Sequence, residues 1–233
     1  MSKTGFVVGT PRSGSTLLAR VIDSHPGARC LSEPDLRLRR EGSYSAGRDK
    51  AVTETPMSYL SNKRDGRLHC FKETFRVSQM ENSYRNVLSV DAYCEHADRA
   101  LAIIRDPRAV WNSARDRWGD EPHITKELYA RLWSVFVEFV QHRRLPFVRY
   151  ENRVEGATED VYQPLGLKPM TCTELKSCDA NSDFCGDERA RDCDRILKDS
   201  KDRWKDSLPV EDVEYVERVC GRLMKSYGYS VQN

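Results

Sequence analysis

The sequence predicts a single α/β domain, spanning residues 1–233, in which helices cover both faces of a parallel β-sheet. Short apolar runs recur along the chain and alternate with amphipathic segments at helical spacing. The 233 residues are enough for one domain with a substantial core. The residues whose side chains could bind a ligand or catalyse a reaction directly follow the apolar runs. This is the end of a strand at which ligands bind in parallel sheets.

The first strand, loop and helix predict an anion-binding site. Residues 6–8 form a short apolar run, the loop 9–14 follows, and Ser15 and Thr16 open an amphipathic helix. Glycines let the backbone approach a ligand, and the N–H groups of a first helical turn point at it. The G-x-x-x-x-G spacing is that of a P-loop, so the predicted sheet is P-loop-like.

The loop lacks the lysine that nucleotide triphosphatases place on their phosphates. Ser15 stands at that position, and the positive charge lies inside the loop as Arg12. This pattern indicates a phosphate-like ligand that is held without ATP chemistry. The alternative is a glycine turn that binds nothing.

The remaining elements follow in order. Apolar runs predict four more strands, at residues 29–31, 68–72, 99–105 and 145–150. Helical spacing predicts helices at residues 87–96, from residue 107, at 125–143, at 156–165, from about residue 187, and through residue 213 to 228. The polar stretches 36–67 and 170–194 are predicted to be irregular surface excursions.

A second motif follows the predicted strand 99–105. Arg105 ends that strand, and Ser113 lies eight residues later in the next helix. A guanidinium offers a planar fork to phosphate oxygens, and a serine hydroxyl adds a donor. The alternative is an exposed salt bridge at the end of the strand.

Together, TPRSGST in the loop and IRDPRAVWNS in the second motif resemble sulfotransferases that use 3′-phosphoadenosine 5′-phosphosulfate (PAPS). The resemblance is strongest to the tyrosylprotein and carbohydrate branch and its bacterial relatives. It implies in-line transfer of a sulfuryl group to a hydroxyl of a tyrosine, a sugar or a small metabolite, with Arg105 and Ser113 on the 3′-phosphate. The implied 5′-phosphosulfate contacts are Thr10, Pro11, Arg12, Ser13, Gly14, Ser15 and Thr16.

The resemblance also implies three catalytic residues. Arg12 would contact the sulfonate, and Lys72, at the end of a strand, would stabilise the leaving 5′-phosphate oxygen. Glu33, which lies 21 residues after Arg12, would be the base that takes the acceptor proton. Lys72 could instead be a surface lysine, and Glu33 could instead pair structurally with Arg12.

Two other carboxylates compete with Glu33 for the role of base, namely Asp35 and Glu73. Cytosolic sulfotransferases use a histidine two residues after the lysine, and that position is Thr74 here. The histidine version of the mechanism is therefore not expected. No metal ion is expected either, because arginine and lysine take the place of Mg²⁺.

Further nucleotide contacts follow from the resemblance alone. Tyr150 matches a tyrosine that packs beside adenine, although it could equally be a core residue. Near the C-terminus, the family closes a segment over the 3′-phosphate, and Ser200, Lys201 and Arg203 match that segment loosely.

Eight cysteines bear on the compartment: Cys30, Cys70, Cys94, Cys172, Cys178, Cys185, Cys193 and Cys220. No C-x-x-C pair or flanking histidine accompanies the cluster 172–193, which argues against zinc. Disulfides are expected there only in an oxidising compartment. The resemblance implies that Cys30 and Cys70 are close in space, and a bridge between them is an open expectation.

Composition excludes several classes of partner. The 38 basic and 36 acidic residues leave a net charge of +2, so neither nucleic acid nor a membrane surface is expected to bind. The first strand begins almost at Met1, which predicts a cytoplasmic protein without a signal peptide, or a secretory one if the chain has been trimmed. A homodimer remains open, as do two other functions: a P-loop phosphotransferase without its lysine, and a non-catalytic nucleotide-binding module.

Overall fold

Five strands form the centre of the domain. They are β1 (Thr4–Gly9), β2 (Ala28–Ser32), β3 (Leu68–Thr74), β4 (Arg99–Ile104) and β5 (Phe147–Arg149). All pair in parallel, in the order β2-β3-β1-β4-β5. The structure is a computed structural model and describes residues 3–32, 65–75, 83–154, 158–172, 175 and 198–232.

Eight α-helices are described in those ranges. They are α1 (Ser15–Ser24), α2 (Ser83–His96), α3 (Pro107–Trp118), α4 (Lys126–His142), α5 (Tyr150–Val154), α6 (Glu159–Tyr162), α7 (Trp204–Ser207) and α8 (Val210–Ser226), with a 3-10 helix at Lys198–Lys201. The N-termini of two of these helices follow directly from the sequence. Asp106 caps α3 by accepting from the N–H of Arg108, ahead of a proline at the first position. Thr125 caps α4 in the same way.

Successive side chains along each strand point to opposite faces of the sheet, so the core is divided into two clusters, one on each face. Phe6 and Val8 of β1 pack in the cluster that includes α2, α3, α4 and α8. Val7, which points the other way, packs with Leu18 of α1. The predicted α/β class, with a parallel sheet and helices on both faces, is confirmed.

The strand order places a switch point at the end of β1. The chain leaves β1 for β2 on one side of the sheet, returns through β3, and then passes to β4 on the other side of β1. Ligands bind where the direction of winding reverses, at the carboxyl ends of the strands. This geometry makes the loop after β1 the centre of the candidate site.

Several predicted boundaries need correction. The strand predicted to end at Arg105 ends at Ile104, and the helix predicted at 156–165 spans only Glu159–Tyr162. The strand predicted at 145–150 is shorter, and Tyr150 is the first residue of α5 instead of the end of a strand. Lys72 lies two residues before the end of β3, because Glu73 and Thr74 still pair with β1. Residues 36–64, residues 176–194 and the helix predicted from about residue 187 lie outside the described residues.

The expected bridge between Cys30 and Cys70 is wrong, although their proximity is confirmed. The two residues are register partners on β2 and β3, yet no disulfide joins them. The Cys70 sulfur leans the other way, to 2.4 Å from where a Cβ on Gly5 of β1 would lie. Burial raises the pKa of Cys70 to about 12, which keeps the thiol protonated and unreactive.

Cys172 forms no disulfide with any described residue, whereas Cys178, Cys185 and Cys193 lie outside the described ranges. None of the described helices is long and apolar enough to cross a membrane.

Candidate functional site

The loop after β1 folds back on itself through short local hydrogen bonds. The Ser13 N–H and hydroxyl both donate to the Thr10 carbonyl, at 3.1 and 2.7 Å. Both residues are only 1% exposed, so they shape the loop from inside. A Cβ on Gly9 would lie 2.5 Å from the Ser13 hydroxyl and 2.6 Å from Ile103, which explains the glycine there.

Gly14 is required by its conformation and by its neighbour. Its φ is +90°, in the left-handed region, and a Cβ would lie 2.3 Å from the ring of Tyr150. The Gly14 carbonyl accepts the N–H of Leu18 at 3.0 Å, so α1 begins directly at the loop. Ser15, which is buried, and Thr16, which is partly buried, are its first residues, and Pro11 is a partly buried residue of the turn. The helix N-terminus therefore follows the loop without a break, as anion-binding loops require.

Arg12 connects the loop to the second motif. Its Nε donates to the Ser113 hydroxyl at 3.0 Å, across 101 residues of sequence. Its guanidinium carbon lies 5.4 Å from the ring centre of Trp118, at the end of α3, within cation–π range. Arg12 itself has a φ of 66°, which turns the loop toward α3.

Arg105, which belongs to the second motif, lies at the centre of the other part of the site, next to the loop after β1. Its Nη1 donates to the carbonyl of Arg12 at 2.9 Å and its Nη2 to the carbonyl of Ser200 at 2.6 Å. Its guanidinium stacks 4.2 Å from the ring of Tyr150. Arg105 is 6% exposed, and its buried Nε has no hydrogen-bond partner among the described residues.

Burial dominates the electrostatics of Arg105. It lowers the Arg105 pKa from the usual value and Arg12 lowers it further, whereas Tyr150, Glu151 and Asp106 raise it without cancelling the effect of burial. A guanidinium remains protonated in proteins, so the net lowering appears as an energetic penalty on the buried charge. An anion at the unpartnered Nε would relieve that penalty and satisfy the donor.

The C-terminal residues predicted for the site divide into two groups. The Ser200 hydroxyl lies 2.5 Å from the Tyr150 hydroxyl, and its carbonyl contacts Arg105. Arg203 instead pairs with Asp116 at 3.3 Å, with both side chains more than 40% exposed. Lys201 lies 3.9 Å from Asp202. The structure brings Ser200 into the cluster, whereas Arg203 lies in a surface ion pair.

The predicted catalytic residues are only partly described. Lys72 is 1% exposed, so the surface-lysine alternative is wrong, and its register partners are Val7 and Ser32. Glu73 is also buried. Glu33 and Asp35 lie outside the described residues, so the assignment of the base stays a prediction.

Sequence reasoning missed three residues around this cluster: Arg108, Trp118 and Glu151. Arg108 is 3% exposed and stacks 4.0 Å from the ring centre of Trp204. The only hint in the sequence was a charged residue in the first turn of a helix that is otherwise apolar around it. Nothing in the spacing indicated that Trp118 would lie beside Arg12.

Glu151 forms a hydrogen bond with the backbone just after β4, next to this cluster. One carboxylate oxygen accepts the N–H of Asp106 at 2.9 Å, and the other accepts the hydroxyl of Tyr229 at 3.0 Å. Burial raises the pKa of Glu151 above the usual value. Its hydrogen bonds fix the residue that immediately follows Arg105.

Within the described ranges, no group of three or more His, Cys, Asp or Glu side chains comes together to form a metal site. The polar groups that converge here are instead cations and hydroxyls beside a helix N-terminus, an arrangement suited to phosphate or sulfate groups.

Comparisons with known proteins agree with this geometry. The model of the family described as "Sulfotransferase family" matches residues 6–169. The sulfotransferase domain of the olefin synthase from Synechococcus PCC 7002 is structurally similar, with a TM-score of 0.68 and 18% identity, covering 99% of this chain and 96% of that one. A sulfotransferase from Alicyclobacillus acidocaldarius has a TM-score of 0.53 and 15% identity, with 99% and 97% covered. Curated proteins gave no match.

Proposed function

The chain belongs to the sulfotransferase family, and from this we propose that it transfers the sulfuryl group of PAPS to an acceptor hydroxyl. PAPS would supply the sulfuryl group and leave as 3′,5′-diphosphoadenosine (PAP). The acceptor would be a peptide tyrosine, a sugar or a small metabolite. No divalent metal takes part in the proposed reaction.

The observation that carries the proposal is the unpartnered Nε of Arg105. A buried guanidinium with one unsatisfied donor, next to the carbonyl of Arg12, suits an anion that arrives with the substrate. A phosphate on the 3′ position of a nucleotide fits this chemistry, because the glycine loop on the other side accounts for the 5′ position. Ser113, bonded to Arg12, would supply the accompanying hydroxyl.

The loop and the start of α1 would hold the 5′-phosphosulfate. The backbone N–H groups at the end of the loop and in the first turn of α1, namely those of Gly14, Ser15 and Thr16, would donate to the phosphate and sulfonate oxygens. Tyr150, whose ring lies close to Gly14, would pack against the nucleotide.

Three side chains would carry the transfer itself. Arg12 would bind the sulfonate oxygens, and Lys72 would stabilise charge on the leaving 5′-phosphate oxygen. Glu33, which follows the register partner of Lys72 in the chain, would take the proton from the acceptor hydroxyl. Little covalent chemistry is then required of the protein, because alignment and charge stabilisation drive an in-line transfer.

Ligand-dependent thermal unfolding tests the proposal. PAP without metal should raise the Tm of the protein, and ATP with Mg²⁺ should not. Stabilisation by ATP–Mg²⁺ and none by PAP would instead support the phosphotransferase alternative.

A second experiment tests the base. Labelled PAPS should transfer its label to at least one member of a panel of hydroxyl acceptors. Glu33→Gln should keep the PAP-induced rise in Tm and lower turnover by about 10²–10⁴-fold. Unchanged turnover in that variant would exclude Glu33 as the base.

A further inference from the structure

Arg108 is a buried guanidinium held between three parts of the chain. Its Nε and Nη2 donate to the two carboxylate oxygens of Asp106, at 3.0 and 2.6 Å. Its Nη1 forms an ion pair with Glu217 of α8. Its flat face stacks 4.0 Å from the ring centre of Trp204. All three nitrogens and one face of the guanidinium are therefore engaged, with only 3% of the residue exposed.

Two of these neighbours lead directly to the candidate 3′-phosphate site. Asp106 follows Arg105 in the chain. Trp204 comes four residues after Ser200, whose carbonyl accepts from Arg105 at 2.6 Å and whose hydroxyl contacts Tyr150. Arg108 thus joins the end of β4 to the chain segment that contacts Arg105.

The rest of that segment, residues 200–208, is docked along the same helix. The Ser207 hydroxyl donates to Asn112 at 3.1 Å, and its carbonyl accepts from Arg115 at 2.5 Å. Arg108, Asn112 and Arg115 are spaced four and three residues apart, which places them on one face of α3. The position of the 200–208 segment is therefore set by one polar face of α3, with Arg108 at the end nearest Arg105.

We propose that Arg108 is a positioning residue that sets the preference of the site for a nucleotide carrying a 3′-phosphate. By holding Trp204 against the start of α3, it presents the Ser200 carbonyl to Arg105 and fixes the direction of the Arg105 fork. This inference rests on the proposed function and adds a specificity determinant to it. Arg108 itself does not touch the nucleotide.

The physical reason is preorganisation. Without Arg108, the 200–208 segment and the Arg105 side chain would be less ordered before binding, and ordering them during binding weakens affinity. The penalty falls on a ligand that uses Arg105, and a nucleotide with a 5′-phosphate alone does not need that side chain. A residue with a purely structural role would instead lower the affinity for both nucleotides, or for neither.

Two substitutions test the proposed role, one in each of the two stacked residues, Arg108 and Trp204. Arg108→Lys keeps the charge but cannot satisfy two carboxylates and stack on an indole at once. Trp204→Leu removes the aromatic surface from the segment, and Trp204→Phe retains an aromatic face. Arg143→Lys is the matched control, because Arg143 also bridges two carboxylates, Asp91 and Glu95, but on α2.

Calorimetric titration should measure the dissociation constants of PAP and of 5′-AMP for each folded variant. Arg108→Lys and Trp204→Leu should each weaken PAP binding about tenfold and leave AMP binding within about twofold. The double variant should lose little more than either single one, because the two residues act as a unit. Trp204→Phe and Arg143→Lys should resemble the unsubstituted protein.

The outcomes separate the two proposals. If the unsubstituted protein prefers PAP and both variants keep its ratio of PAP to AMP affinity, the role of Arg108 is refuted and the proposed function stands. The same conclusion follows if both affinities fall together. If the unsubstituted protein has no preference for PAP, the proposed function fails first, and this inference fails with it.

Discussion

The two halves of the candidate site are built in different ways. The loop after β1 is one contiguous stretch, and its shape comes from two glycines and from local bonds such as those from Ser13 to Thr10. The other half joins Arg105, Tyr150 and Ser200, which come from three distant segments and are held by side-chain contacts.

Under the proposed function, this difference would separate affinity from specificity. A loop whose backbone is set by local sequence would bind any ligand with a 5′-phosphate, since its donors are main-chain N–H groups. Discrimination for a second phosphate would instead depend on tertiary contacts that span about half the chain. Substitutions in the first half should therefore weaken all nucleotides alike, whereas substitutions in the second half should weaken only those with a 3′-phosphate.

Gly14→Ala should have the largest effect and should break both halves. Alanine would have to adopt a φ of +90° at this position, and its Cβ would lie 2.3 Å from the Tyr150 ring. The free energy of unfolding should therefore fall by about 2–4 kcal/mol. AMP affinity should fall by about 100-fold and PAP affinity by still more, because only PAP also uses the half that contains Tyr150. Thermal unfolding and calorimetry measure the two effects.

Gly66→Ala is the matched control for backbone strain alone. Gly66 has a φ of +76°, and no described residue lies within 4 Å of the position a Cβ would take. This variant should lose only about 1–2 kcal/mol of stability and keep its nucleotide affinities. Equal losses in the two glycine variants would contradict the importance of the contact with Tyr150.

Arg105→Gln should have the next largest effect and should separate the halves. Loss of charge-assisted hydrogen bonds, each worth about 1.5–3 kcal/mol, should weaken PAP binding by about 10–100-fold and leave AMP nearly unchanged. Arg149→Gln is the control, since Arg149 also stacks 4.2 Å from a tyrosine ring and donates to a main-chain carbonyl. A parallel loss of AMP affinity in Arg105→Gln would show that the two halves are not independent.

Glu151 should give the smallest effect, visible as a pH dependence. Because burial raises its pKa, the folded protein holds a proton that the unfolded chain releases above about pH 4.3. The contribution of Glu151 to stability is thus present below that pH and is lost as the pH rises through the raised value. The Tm of the unsubstituted protein relative to Glu151→Gln should decline from pH 4 to pH 7, and a constant or rising difference would contradict this.

The fold was largely predictable because buried parallel strands appear in the sequence as continuous apolar runs. The run at 101–104 gave β4, and the glycine spacing gave the loop and the start of α1. Boundaries were harder to predict. The resemblance places Lys72 at the end of a strand, but β1 extends to Gly9 and continues to pair with β3 as far as Thr74.

The candidate site was predictable only where its residues lie in local motifs. Arg12, Arg105 and Ser113 were found because each belongs to a recognisable stretch. The ion pair of Arg108 with Glu217 spans 109 positions, and no periodicity encodes such a pairing. The Cys70 sulfur likewise points toward Gly5, where the absence of a side chain leaves room for it. Sequence spacing does not indicate this orientation, which directs the sulfur away from Cys30.

The most direct test of the central claim is a calorimetric titration of the unsubstituted protein with PAP and with 5′-AMP in metal-free buffer. A site that joins a 5′-phosphate loop to the buried fork of Arg105 should bind PAP at least about tenfold more tightly than AMP. Equal affinities for the two nucleotides, or no binding of PAP, would contradict it.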